Sequence, residues 1–327
     1  MTYDASVTLE DNLSVKKEQE IASWIQKQHT IRNSTKIHNV SVDVEFGGDR
    51  KSASLFVPED AKELSAYIRF KDRMSGEKYR LSDSGVILTE KVCTLLGIKE
   101  GDTVTIKEGE TKSVGAKVEH ITENYMRHNV YMSKKLYQKL YGEKPEYNQI
   151  LLKNKDRSDK TETNLGKGLL KQDGAASVSF TSDFEKEMND MLNNLNIVVF
   201  VLIVSAGLLA FVVLYNLNNI NIAERKAELA TLKVLGFFDM ETAAYVYREN
   251  ILITIIGTAV GAGLGILLHR YVILTAEVDL IMFGRQILPA SYLYSVLLTI
   301  GFAALINFMM FFQLRKINMV ESLKSTE

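Results

Sequence analysis

Hydrophobic and polar positions follow two different patterns along this chain. Up to about residue 190 apolar side chains come singly or in short alternating groups, and beyond it they come in long unbroken runs. In the first part, Leu13, Ile21 and Trp24 or Ile25 recur at helical spacing within residues 12–34. Val40, Val42, Val44 and Phe46 then alternate with polar neighbours and predict a strand, with a second at Ser52–Val57. Pro58 is expected to open a short helical turn, with Glu59, Asp60 and Glu63 suited to its N-terminal end. The segment Ser82–Lys112 predicts a strand at Val86–Leu88, a helix capped by Thr89 and closed by Gly97, a strand at Thr103–Lys107 and a turn at Glu108–Glu110. AKVEHITENY and NQILLKN read as strands, SKKLYQKLYG as a helix from Ser133 to Gly142, and Ser177–Phe180 as a last strand. This alternation implies an α+β domain over residues 36–182, preceded by an N-terminal helical segment over 1–35.

The long runs change the setting. No charge appears between Asp190 and Glu224, Asn250–Leu268 is 19 residues without one, and the run from Gln286 to Leu314 contains SYLYSVLLTIGFAALINFMMFF. About 20 apolar residues span a hydrocarbon layer roughly 30 Å thick. An ionised side chain at its centre costs about 2.5–3.5 kcal/mol, a physical reason for the missing charges. Residues 183–327 are therefore expected to be an all-α bundle of three transmembrane helices, with spans at about 195–217, 250–269 and 290–313. Lys and Arg set the orientation. Arg225, Lys226, Lys233, Arg248, Arg315, Lys316 and Lys324 fall in the 218–249 loop and the tail, against only Arg270 and Arg285 between the second and third spans. The 218–249 loop and the C-terminus are thus placed in the cytoplasm, and residues 1–190 outside. With no signal peptide or span ahead of that domain, the chain is read as the C-terminal piece of something longer.

Composition sharpens this reading. Residues 1–190 hold 61 of the 79 charged side chains, and the net charge is −1 without a basic run, so nothing points to nucleic acid. The single cysteine, Cys93, excludes an internal disulfide and any cysteine metal site. His29, His38, His120 and His128 lack metal-ligand spacing, and Ser82, Asp83 and Ser84 lie in no nucleophile elbow. Gly166-Lys167-Gly168 lacks the remaining residues of a phosphate-binding loop. No cofactor, metal or catalytic constellation is expected, and the chain is read as not an enzyme. Lipid is an expected partner, and Gly257, Gly261 and Gly265 form a stripe of i+4 positions that would let another helix approach closely.

Between the first two runs lies the charged stretch NIAERKAELATLKVLGF, Asn221–Phe237. As a helix it gathers Ile222, Leu229, Leu232 and Leu235 toward one side, with Arg225 able to pair with Glu228, and Gly236 ends it. Such an element either rests on the membrane surface or offers a knob to a cytoplasmic partner, and its physical chemistry leaves both open.

ERKAELATLKVLGF, followed by Glu249 and the glycine-rich run, resembles the FtsX-like/MacB-type family of ABC transporter permeases. The tail LRKINMVESLK (Leu314–Lys324) and the segment GVILTEKVCTLLGIKEGDTVTI are also similar to pieces of that family, so the resemblance covers roughly residues 40–327. It implies an extracytoplasmic MacB-like domain and a coupling helix driven by a separate cytoplasmic ABC ATPase subunit. A further permease half or a second copy is implied as well, with export or extraction of peptide- or lipid-type substrates. Carried over by position, the coupling residues are Glu224, Arg225, Glu228, Leu229, Leu232, Lys233 and Gly236. The family's usual span ahead of the outer domain is missing from this sequence. A membrane signalling or scaffold protein regulating an extracellular partner, such as a cell-wall hydrolase, is the alternative reading.

Overall fold

The computed structural model describes residues 2–277, 279, 282–284 and 286–315, with the backbone alone at 227, 233, 239, 243, 245, 246 and 313–315. The chain forms two compact units, one of Met1–Asp190 with Glu277–Phe283 and one of Met191–Ala276 with Gly284–Glu327.

In the first unit the chain runs through β1 (Ala5–Leu9), α1 (Val15–Lys27), β2 (Ile31–Phe46), β3 (Asp49–Pro58), β4 (Phe70–Lys71) and β5 (Lys78–Tyr79). It continues through β6 (Val86–Thr89), α2 (Glu90–Leu96), β7 (Thr103–Glu108), β8 (Lys112–Thr122) and β9 (Asn129–Tyr131). The last elements are α3 (Lys134–Tyr141), β10 (Gln149–Asn154), α4 (Asp159–Leu169) and β11 (Ala175–Phe180). Nine strands share one sheet in the order β11-β1-β10-β2-β3-β9-β6-β8-β7, and β2 also pairs with β7. That extra pairing closes β2, β3, β9, β6, β8 and β7 into a ring, which removes their free edges.

Two substructures therefore share one strand. The stretch β11-β1-β10-β2 is antiparallel throughout, and its β1-α1-β2…β10-α4-β11 connectivity is that of a split βαβ fold. The ring is an insertion between β2 and β10. Sixteen residues long, β2 serves both: Ile31–Ile37 pairs with β10, while Ile37–Phe46 pairs with β3. Gly47 and Gly48, at φ +63° and +94°, turn β2 into β3 in the left-handed conformations that a two-residue hairpin loop demands.

Alternation fills each core. Val42, Val44, Leu55, Val57, Leu88, Val104, Ile106 and Val118 point into the ring, and α2 and α3 close it with Val92, Leu96, Leu136 and Tyr137. Cys93 lies in this core, and burial pushes its thiol up to about 12. The split βαβ core gathers Ala5, Val7 and Leu9 of β1 with Ile21 and Ile25 of α1 and Leu165 and Leu169 of α4. Gly168 leaves room there for Trp24, because a Cβ would stand 2.7 Å from the indole. A third cluster, around Leu64, Tyr67, Ile68 and Phe70, packs on Ile37, Phe56, Ile87, Tyr131 and Leu151.

Several expectations change. Residues 1–35 form no separate helical segment, because β1 pairs with β10 and β11 inside the sheet. The alternation Ala5, Val7, Leu9 carries that strand with only three inward positions, too few to stand out in a polar-looking start. Pro58 ends β3 instead of opening a turn, and the following 3-10 turn is Glu63–Ala66. Thr89 occupies the cap position of α2 without bonding to it. Its hydroxyl accepts the Asn129 N–H at 3.1 Å and joins β6 to the start of β9. Gly97 and Gly142 do end their helices, both in the left-handed conformation, and Ser133 caps α3 by accepting from the Leu136 N–H.

The remaining helices are α5 (Thr181–Glu224), α6 (Lys226–Val234), α7 (Asp239–Ala276) and α8 (Pro289–Arg315). Of these, α5, α7 and α8 are long and apolar enough to cross a membrane. In the second unit their side chains are predominantly exposed: Ile197, Phe200, Leu209 and Leu267 each show about two thirds of their surface. A helix apolar on all sides and exposed on most of them has lipid as its solvent.

Candidate coupling site

Between α5 and α7 the chain makes a tight turn whose parts each have a local cause. At the Arg225 interruption the hydrogen-bond ladder continues, with the Arg225 N–H on the Asn221 carbonyl at 3.1 Å and the Leu229 N–H on the Arg225 carbonyl at 2.9 Å. Beyond α6, Gly236 takes φ +94°. This lets the Phe237 N–H reach back to the Leu232 carbonyl at 3.2 Å, the six-to-one bond of a Schellman end. At the start of α7 the Phe238 N–H donates to the Glu241 carboxylate at 2.9 Å, one half of a capping box. The Thr242 hydroxyl donates to the Phe238 carbonyl at 3.2 Å.

The turn is tied to the long helices in three ways. Leu229 is fully buried and packs against Ile222, Tyr247 and Phe311. The Arg225 guanidinium lies 2.9 Å from the Glu249 carboxylate, so Glu249 and not Glu228 takes this charge. Each long helix then contributes one amide to a shared node. Asn250 donates to the Asn218 side-chain oxygen at 2.8 Å and to that of Asn307 at 3.5 Å, while the Tyr247 hydroxyl donates to the Asn307 carbonyl at 2.6 Å.

The coupling residues carried over by resemblance consequently divide. Leu229 faces the chain's own helices and Leu232 is half-buried, whereas Glu224 and Glu228 are exposed. Arg225 anchors and Gly236 shapes the turn; Lys233 lies in α6, and its side chain is outside the described residues. The exposed apolar surface comes later in the sequence, at Val234, Leu235, Phe237, Phe238 and Met240, with Phe238 77% and Leu235 71% exposed. The residues that sequence reasoning missed are Asn218, Asn250 and Tyr247. Asn250 stands out as an amide at the start of its apolar run, whereas Asn218 is one of four asparagines between residues 216 and 221 and Tyr247 gives no signal.

Among the described residues of this chain nothing lies within 4 Å of a Cβ built on Gly257, Gly261 or Gly265, so the stripe is open to a helix from outside it. Close approach is found instead at Gly207 of α5, where a Cβ would stand 2.3 Å from the Phe302 ring of α8. In the first unit, the Ser82 and Ser84 hydroxyls both bond to the Glu119 carboxylate and Asp83 accepts from Ser133. These serines fasten the approach to β6 onto β8. Gly166 and Gly168 are helical packing positions against Phe180 and Trp24.

Residues 200–319 match the family model described as FtsX-like permease C-terminal. This part of the chain is an FtsX-like permease domain. The matched range takes in the second half of α5 and all of α6, α7 and α8, and with them the whole amide node. The permease-type membrane part is accordingly residues 200–319; the tail from residue 316, part of the resemblance, lies outside the described residues. Among solved structures it is similar to the periplasmic region of MacB from Actinobacillus actinomycetemcomitans, at 13% identity and TM-score 0.36 over 57% of this chain and 93% of that one. It is also similar to the extracellular domain of the noncanonic ABC-type transporter YknZ from Gram-positive bacteria, at 11% identity and TM-score 0.33 over 50% of this chain and 88% of that one. No curated protein matches the sequence.

Proposed function

We propose that this chain is a permease subunit, or the C-terminal part of one, of an ABC transporter. It carries movement from a separate cytoplasmic ATPase through the FtsX-like domain to an extracytoplasmic N-terminal domain. ATP hydrolysis belongs to the partner, and the transported material is a peptide- or lipid-type molecule exported or extracted from the membrane. A further permease half or a second copy completes the assembly.

One observation supports this reading above the others: the two-sided character of the turn between α5 and α7. One side is fixed to the helices by Leu229, the Arg225–Glu249 pair and the amide node. The other presents Leu235, Phe237, Phe238 and Met240 on a turn held by Gly236 and Glu241. Large apolar and aromatic side chains on a rigid mount are typical anchors of protein interfaces.

The test separates the two sides. With the partner ATPase co-expressed, Leu235→Asp with Phe238→Asp is expected to reduce its co-purification at least ~10-fold, equivalent to about 1.4 kcal/mol, with membrane insertion unchanged. Undiminished co-purification would overturn the proposal.

A further inference from the structure

The connection from α7 to α8 does not stay with the membrane helices. After Ala276 the chain enters the first unit over Glu277–Phe283 before returning to α8. Its contacts there are specific. The Glu277 carboxylate meets the Lys91 ammonium of α2 at 2.7 Å, with the two side chains only 4% and 9% exposed. Asp279 meets Lys51 of β3 at 2.6 Å, nearer the surface. Met282, 3% exposed, donates its N–H to the Tyr125 carbonyl at 3.0 Å. The Phe283 N–H donates to the other Glu277 oxygen at 3.3 Å, so the acid that meets Lys91 also folds the segment on itself.

We propose that Glu277–Phe283 is a charge-clamped strap, which gives the N-terminal domain a second attachment to the membrane helices besides the continuous helix α5. The clamp is matched in charge: two lysines face two acids. The Lys51 ammonium holds the Asp279 carboxyl below its ordinary range. His128, buried beside them, is held below its ordinary value by burial and adds no charge near neutral pH. Lys91 makes the docking persistent. An ammonium buried to this degree without a counter-ion is costly, so releasing the strap would leave the domain with an uncompensated charge. The strap also agrees with the distribution of Lys and Arg, which puts residues 1–190 and this connection on the same side of the membrane. Its mechanical meaning rests on the transmission reading above; its docking does not.

Hydrogen exchange on the full chain in lipid nanodiscs tests the docking. Glu277→Gln is expected to speed exchange at the Met282 amide at least ~10-fold while amides of β1 and β10 stay protected. Lys91→Met combined with Glu277→Met, which removes both charges, is expected to bring Met282 back to within ~3-fold of the native rate. Should Glu277→Gln unfold the domain, Asp279→Asn removes the more exposed pair and is expected to speed Met282 exchange ~3-fold. Unchanged Met282 exchange in the variant that folds, or unprotected exchange in the native chain, overturns the strap. A second arm reads transmission: six Gly/Ser residues inserted between Leu288 and Pro289 slacken the link while leaving the clamp intact. With the partner ATPase present, the nucleotide-dependent change in exchange at β6 is expected to shrink at least ~5-fold. A full-sized change overturns the mechanical role, and no nucleotide response even in the native chain rejects the permease reading while leaving the docking result standing.

Discussion

The two units use the same apolar residues in opposite ways. In the N-terminal unit Leu55, Leu88 and Ile106 are fully buried, and polar side chains cover the outside. In the FtsX-like domain Leu209, Leu267 and Phe200 are exposed, while the inside holds Gly207, Asn218, Thr242 and Leu229. Water drives the first arrangement, since every apolar surface removed from it is a gain. Lipid gives no such drive, so helices meet through small residues and hydrogen-bonded amides. A hydrophobic residue therefore says little about its own importance until its solvent is known. The sparse polar residues of the second unit carry as much structural meaning as the dense apolar core of the first.

The strongest way to break this comparison is to make one substitution in both regions. Leu55→Ala is expected to destabilise the N-terminal unit by about 2–5 kcal/mol, because it removes transfer energy and leaves a cavity. Leu209→Ala removes only a lipid contact and is expected to cost roughly 0.6 kcal/mol or less. Trp24, the only tryptophan, sits in the split βαβ core, and β2 belongs to both cores, so its fluorescence in guanidinium follows unfolding of the whole unit. Equal effects of the two substitutions would mean that α5 is packed in an aqueous core.

How much was legible in the sequence follows from the same contrast. Alternation over Val40–Phe46 and cap residues such as Ser133 and Gly142 are local signals, and the elements they predict are present. Ring closure was not legible, because the β2–β7 pairing joins Asp43–Glu45 to Thr105–Lys107 across some 60 residues without any local mark. Arg225 shows the limit within the coupling site. Its near neighbour Glu228 suggested an i,i+3 pair, but the return of α7 brings Glu249 within 2.9 Å. The strap was hidden for a related reason, since the partner of Glu277 is Lys91, 186 positions earlier in the chain.

A smaller effect sharpens the second half of the comparison. Asn250 joins Asn218 and Asn307, so Asn250→Leu removes both interhelical bonds and adds only apolar surface. In water, Asn→Leu at an exposed position is nearly neutral; here it is expected to weaken helix association by about 0.6–2 kcal/mol. Steric trapping of α7 against α5 and against α8 in bilayers reads this quantity directly, with the N-terminal unit's guanidinium midpoint unchanged as the internal control. An increase in association would show that apolar contact does drive packing in this bundle.

The smallest effect concerns Arg225 and Glu249, which flank the charge-free runs of the first two long helices. Their side chains are 34% and 44% exposed, so water screens much of the attraction. A double-mutant cycle with Arg225→Met and Glu249→Gln is expected to give a coupling of about 0.2–1 kcal/mol, decreasing as salt is raised from low to about 0.5 M. A hydrophobic contact such as Leu229 with Tyr247 would not weaken with salt in this way. The cycle thus separates charge from packing at the same turn. A coupling well above this range and insensitive to salt would place the pair out of reach of water, and the turn would then belong to the bundle interior and not to its aqueous edge.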